Sequence, residues 1–254
     1  VVVQTAVAFA ADLSAPAERG RSLGVVTSGV VVGILGARVV AGVLTDLWGW
    51  RAVYLALAAM LVALAVAVLT RLPAEARMSR RTYGAVIGSL VRMFAVPFFV
   101  SRGVIAFFLF ASFGTLWSGL ALPLEAGPWH LDATQVGLFG IAGLAGALGA
   151  ARAGWWADNG RASRVTGAAL VVLALSWIAA GQATWSIWLV IIGVIFLDFA
   201  VQAVHVGNQS LLTEAFPERT SSAIGGYMVF YSLGSVLGAT ATTAVYAAAG
   251  WAGC

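Results

Sequence analysis

The chain has 254 residues, of which 61% are hydrophobic and only 9% charged, with a mean hydropathy of +0.96. Water-facing domains carry roughly a quarter charged residues, so this composition excludes a soluble globular protein and places the chain in a lipid bilayer. Its net charge of +4 comes from fourteen arginines against ten acids with no lysine, which removes lysine-dependent phosphate loops and Schiff bases. One cysteine and two histidines leave no internal disulfide and no zinc cluster, so neither cofactor nor metal is expected.

Residues 1–11 read as the end of an apolar helix. Full apolar runs then lie near 22–46, 51–70, 94–122, 134–156, 164–182, 186–212 and 221–247, each about 20 residues or more and long enough to cross roughly 30 Å of hydrocarbon as a helix. Weak alternation and abundant Ala, Leu and Gly argue against barrel strands. The expected fold is an all-α membrane protein with about seven full transmembrane helices plus one partial. With no initiator Met and no charged n-region, the chain is expected to begin inside a helix.

The basic residues report topology rather than nucleic-acid binding. Loops 12–21, 71–93, 157–164 and 213–220 hold Arg19, Arg21, Arg71, Arg77, Arg80, Arg81, Arg92, Arg161, Arg164 and Arg219, whereas the opposite loops hold only Arg51. The positive-inside rule assigns the first set to the cytoplasm. Trp48, Trp50, Trp129, Trp185, Trp188 and Trp251 then fall at the outer headgroup level, with Trp155 and Trp156 at the inner one. The basic loop 71–93 divides the chain into residues 1–70 and 94–254; it reads as a solvated topogenic linker or as an amphipathic helix on anionic headgroups.

Five landmarks recur at one offset of 201 residues: Pro16/Pro217, Gly24/Gly225, Gly33/Gly234, Gly49/Gly250 and Trp50/Trp251. One helical unit is thus used twice. Because five further apolar runs separate the copies, the repeat holds six spans, more than either half of this chain supplies.

In the run 22–46, Gly29, Gly33 and Gly36 share a face that is expected to pack, and Arg38 lies opposite with Thr27 and Thr45. A charge at that depth costs about 2.5–3.5 kcal/mol on insertion scales and usually meets a cavity or a partner; snorkelling outward is the alternative. In the run 186–212, Asp198, Gln202, His205 and Gln209 form a polar stripe within roughly 60° of arc. Asp198 lies roughly 18 Å from the outer boundary, at a depth similar to that of Arg38. The two are expected to pair across a cavity, with protonation of Asp198 loosening the pair; the alternative is that Asp198 only ties helices together. His205 is expected either to relay protons or to be a satisfied hydrogen-bonding residue. Its counterpart at the repeat offset is Gln4. Gly137, Gly140, Gly143, Gly146 and Gly149, and Gly225, Gly226, Gly234 and Gly238, mark close helix approach.

Three motifs carry a family resemblance. Gly154-Trp-Trp-Ala-Asp158-Asn-Gly160-Arg161-Ala-Ser-Arg164 resembles the Gly-x-x-x-Asp-x-x-Gly-Arg signature of the major facilitator superfamily, shortened by one residue between Asp and Gly. Asp12-Leu-Ser-Ala-Pro16-Ala-Glu18-Arg19-Gly-Arg21 resembles the acidic-to-basic loop after the family's fourth helix, with Phe216-Pro217-Glu218-Arg219 as its counterpart. The run 22–46 is similar to the glycine-rich fifth helix of the drug:proton antiporter branch, but Gly36-Ala37-Arg38 stands where that branch usually has Gly-Pro. The departure keeps the helix straight and puts a charge inside it.

The resemblance implies an incomplete 12-helix bundle, from the end of the fourth helix through the eleventh, that carries a small molecule by alternating access. It further implies proton-coupled efflux in a cytoplasmic membrane, with a latch at Gly154, Asp158, Gly160, Arg161, Arg164, Asp12 and Arg19. A transport-inactive sensor or scaffold that keeps the fold is the alternative. An enzyme is not expected: Gly20-Arg21-Ser22-Leu23-Gly24 fits a nucleophile elbow in letters, but no strand precedes it and no His is near it in sequence.

Overall fold

The computed structural model describes Gly33 and residues 36–71, 83–150 and 162–254. The sequence features at Gln4, Asp12, Arg19, Gly29, Gly154, Asp158, Gly160 and Arg161 lie outside the described residues. Every regular element among the described residues is helical.

The helices, in chain order, are α1 (36–48), α2 (Trp50–Arg71), α3 (Tyr83–Met93), α4 (Pro97–Gly119), α5 (Ala121–Ala126), α6 (Ala133–Gly149), α7 (Ala162–Ala180), α8 (Ile187–Ala215) and α9 (Thr220–Gly253). Five stretches are long and apolar enough to cross a bilayer: Trp50–Thr70, Pro97–Ala126, Ala162–Ala180, Ile187–Ala215 and Ser222–Gly253. α6 is equally apolar but shorter at 17 residues. α1 is continuous through Ala37 and Arg38, as expected where no proline interrupts the ladder.

Local chemistry sets the helix ends. Pro97 opens α4, where its missing N–H costs nothing. Asp132 caps α6 with a full capping box: its side chain accepts from the Gln135 N–H at 2.7 Å while Gln135 Oε1 accepts from the Asp132 N–H at 3.0 Å. The Ser186 hydroxyl caps α8. The duplicated Gly-Trp landmark is visible as geometry, because Gly49 and Gly250 both take positive φ, 77° and 65°, which favours glycine. The chain therefore turns sharply at Gly250 even though helical bonding resumes beyond it.

Small residues decide the packing. α4 and α9 run parallel in tight contact: Gly234 faces the Phe107 carbonyl, Gly238 the Ala111 carbonyl, and Gly103 the Phe230 ring, leaving no room for a Cβ. Gly146 of α6 is equally close to the Ile195 carbonyl of α8, and Gly193 of α8 lies against Ala180 of α7. With no hydrophobic drive between helices in lipid, such backbone approach supplies the contact energy.

Three observations bear on the expectations. Among the described residues a Cβ at Gly33 or Gly36 meets nothing within 4 Å, whereas one at Gly42 falls 2.7 Å from the Ala133 carbonyl. The Arg38–Gly42–Thr45 face of α1, expected to be the polar one, thus packs against α6, and the glycines that admit Arg38 are on α6. Residues 83–93 of the expected linker form α3, which packs on α9 through Leu90 at Gly226 and a Ser89–Ser222 hydroxyl pair at 2.6 Å. Finally, Trp48, Trp50, Trp185 and Trp188 are exposed as expected, but Trp251 is only 7% exposed and donates to the Ala180 carbonyl at 2.9 Å. Trp129 likewise donates to the Ala183 carbonyl at 2.6 Å, so Trp251 ties α9 to the end of α7 and Trp129 ties two connections together.

Candidate functional site: an arginine, an indole and a carboxylate between helices

α1, α4, α6 and α8 converge on one buried polar cluster. Asp198 of α8 is 5% exposed, and the Trp117 indole N–H of α4 donates to its Oδ1 at 3.1 Å. Arg38 of α1 lays its guanidinium over the Trp117 ring, 3.6 Å from the centroid, a separation at which a desolvated cation–π contact contributes about 2 kcal/mol. Arg38 and Asp198 thus share one indole, face and edge. No direct ion pair joins them among the described residues.

The glycines of α6 make the cluster possible. At Gly140 a Cβ would fall 2.6 Å from Arg38 Cδ, and at Gly143 it would meet Asp198 Oδ2 and lie 2.6 Å from Trp117 Cζ2. Gly137 gives the same clearance to the Arg38 carbonyl at 2.8 Å. The side of α6 facing the cluster is thus without side chains where α1 and α8 bring their charges.

A cavity of 230 Å³ reaches Arg38 and Trp117 from the arginine-poor end, passing Thr45 and Glu125. Beside the cavity-lining Thr45 and Ala133, Asp46 clasps α1 to α6. That carboxylate accepts from the Ala133 N–H at 3.2 Å, from the Thr134 N–H at 2.9 Å and from the Thr134 hydroxyl, so the last turn of α1 caps the first turn of α6 where the helix dipole favours negative charge.

The rest of the stripe on α8 is occupied differently. His205 Nδ1 lies 3.1 Å from the Tyr227 hydroxyl, and Nε2 lies 3.2 Å from the Gln209 amide nitrogen. The amide nitrogen only donates, so Nε2 accepts and the Nδ1 hydrogen goes to Tyr227. Both ring nitrogens are satisfied, and Phe110 stands edge-on at 5.1 Å. Gln202 is half-buried, with no hydrogen-bond partner among the described residues. Arg164 is exposed in the first turn of α7.

Sequence reasoning did not assign roles to Arg102, Asn208, Asp46 and Thr134. Arg102 was detectable as a second arginine within an apolar helix. Asn208 falls off the arc of the stripe and had no pattern to mark it, and the Asp46–Thr134 clasp joins residues 88 positions apart.

The profile of the Major Facilitator Superfamily matches residues 1–124 and 102–254. The chain belongs to the major facilitator superfamily. It is similar to the uncharacterized transporter YgaY of Escherichia coli O157:H7, 37% identical over 254 residues that cover 100% of this chain and 64% of that protein. It is also similar to the probable transporter SCO4007 of Streptomyces coelicolor, 30% identical over 267 residues covering 100% of this chain and 59% of the relative. A shorter match, 30% identical over 139 residues, links 52% of the chain to 32% of the inner membrane transport protein YnfM of Escherichia coli K12. The chain thus spans somewhat under two thirds of the length of the curated transporters it matches end to end. In keeping with that membership, it is a multi-pass helical membrane protein.

Proposed function

We propose that the full-length protein is a secondary active transporter of the cytoplasmic membrane that moves a small molecule by alternating access, coupled to protons and directed outward. The observation that carries the reading is the Arg38–Trp117–Asp198 linkage, in which α1, on one side of the basic linker, meets α4 and α8 on the other. When the two lobes part, Arg38 leaves with α1 while Asp198 and Trp117 stay with α4 and α8. A buried carboxylate that loses its neighbouring cation gains a proton more readily, and the returning cation expels it. Proton occupancy is thereby tied to lobe position.

The clasp of Asp46 on α6 fits the same cycle as the fastening of the outer end. Its cytoplasmic counterpart is the latch motif from Gly154 to Arg164, with Asp12 and Arg19. Within this reading His205 serves as framework, and Gln202 is the stripe residue free to meet substrate. The test is flux in proteoliposomes under an imposed pH gradient. Asp198→Asn is expected to abolish gradient-driven accumulation while leaving the fold intact; unchanged pH-dependent flux in that variant overturns the coupling role.

A further inference from the structure

A second arginine lies deeper toward the arginine-rich end, away from Arg38. Arg102 stands five residues into α4, roughly 8 Å from its start, and reaches across to Asn208 of α8. The bond between them is long: Arg102 Nη1 lies 3.5 Å from Asn208 Oδ1. Among the described residues Arg102 Nε is buried with no hydrogen-bond partner and Asn208 Nδ2 is buried with no hydrogen bond of good geometry, the Tyr227 hydroxyl being the polar group beside it, and Asn208 is 0% exposed. Among the described residues no carboxylate bonds to either. Asp198 lies ten residues away along α8, roughly 15 Å. Phe98 supplies an aromatic face 5.3 Å from the guanidinium carbon.

What Arg102 and Asn208 themselves leave unused is of one sign. An arginine fork and an amide NH₂ offer only N–H donors, and buried donors without acceptors mark a missing water, ion or ligand. A planar fork beside an amide matches the two oxygens of a carboxylate or a phosphate, not a cation or a neutral amine. We propose that Arg102 and Asn208 form an oxyanion-binding site between α4 and α8, which takes the carboxylate of a small organic acid whose apolar body lies toward Phe98. The assignment of that acid as cargo rests on the transporter reading; the site itself does not.

The experiment is a thermal-shift titration of the full-length protein with sodium benzoate, against neutral benzamide and sodium chloride at equal ionic strength. Benzoate raises the midpoint of the wild-type protein and the two controls do not. Arg102→Gln weakens benzoate by about 10- to 100-fold, the loss of a charge-assisted bond, and Arg102→Lys, which keeps the charge without the fork, falls between. Asn208→Asp supplies an internal carboxylate, so it raises the midpoint without ligand and removes the benzoate response; this variant separates lost binding from lost folding. A parallel arm replaces phosphatidylcholine nanodiscs with phosphatidylglycerol ones. An Arg102-dependent shift there, with none from benzoate, upholds the oxyanion site but overturns the organic acid in favour of a lipid headgroup. No shift from either, or an equal shift in Arg102→Gln, overturns the site. Because the readout is equilibrium binding, failure of proton coupling through Asp198 leaves it untouched, and the converse also holds.

Discussion

The Trp117–Asp198 bond yields a prediction whose size reports the charge on the carboxylate. Trp117→Phe keeps an aromatic ring under Arg38 but removes the indole N–H that reaches Asp198 Oδ1 at 3.1 Å; Asp198→Ala removes the acceptor. Neutral hydrogen bonds between helices in a bilayer average about 0.6 kcal/mol in double-mutant cycles, whereas bonds to an ionised group contribute about 1.5–3 kcal/mol. Asp198 is 5% exposed, and Gly143 of α6 closes over it with no space for a Cβ, so solvent screening does little to reduce the larger value. The cycle of wild type, both single variants and the double variant should therefore give a coupling energy of about 1.5 kcal/mol or more at a pH where Asp198 is ionised, falling toward about 0.6 kcal/mol once acid protonates it. The measurement is unfolding in mixed micelles, followed by far-UV circular dichroism because the substitution alters indole fluorescence. A coupling below about 0.3 kcal/mol at every pH would refute the bond, and a sizeable coupling that does not vary with pH would refute the titrating carboxylate.

Other outcomes follow from the same geometry. Gly143→Ala places a methyl group against Asp198 and Trp117 Cζ2; it should cost about 1–3 kcal/mol of stability and abolish gradient-driven flux, and a stable, active variant would contradict the packing. Asp46→Ala removes the cap on α6, so a cysteine placed at Ala41, which lines the cavity, should be alkylated several-fold faster by an impermeant reagent added on the arginine-poor side. Unchanged labelling means Asp46 does not fasten that end. Tyr227→Phe leaves the His205 Nδ1 hydrogen unpaired at a buried site, with an expected cost of about 1–3 kcal/mol; because His205 is held here as framework, flux per folded molecule should persist, and its selective loss would make His205 a proton carrier.

Much of this protein was legible in its residues because lipid imposes few solutions. Apolar runs must be helices there, since no water satisfies an open backbone, and arginine placement orients them. The repeat marked Gly49-Trp50 and Gly250-Trp251 as equivalent positions, and both glycines have positive φ. Asp198, His205 and Gln209 were visible as an unusual polar face on an apolar helix. Arg38 was visible as a charge too deep to be casual.

What the chain order left open was which faces meet, because helical periodicity fixes directions around one axis and not the neighbour across it. Glycine content pointed to Gly33 and Gly36 as the packed side of α1; the contact seen among the described residues falls at Gly42 and on the α6 glycines that receive Arg38. The stripe on α8 likewise split into unlike parts once neighbours arrived: Trp117 claimed Asp198, Tyr227 and Gln209 satisfied His205, and Asn208, one residue off the stripe, met Arg102. Sequence alone determined that this is a duplicated helical membrane protein with ionisable groups buried at depth. Only tertiary structure decided their partners, since a hydrogen bond depends on separations of a few tenths of an ångström between helices that the sequence places dozens of residues apart.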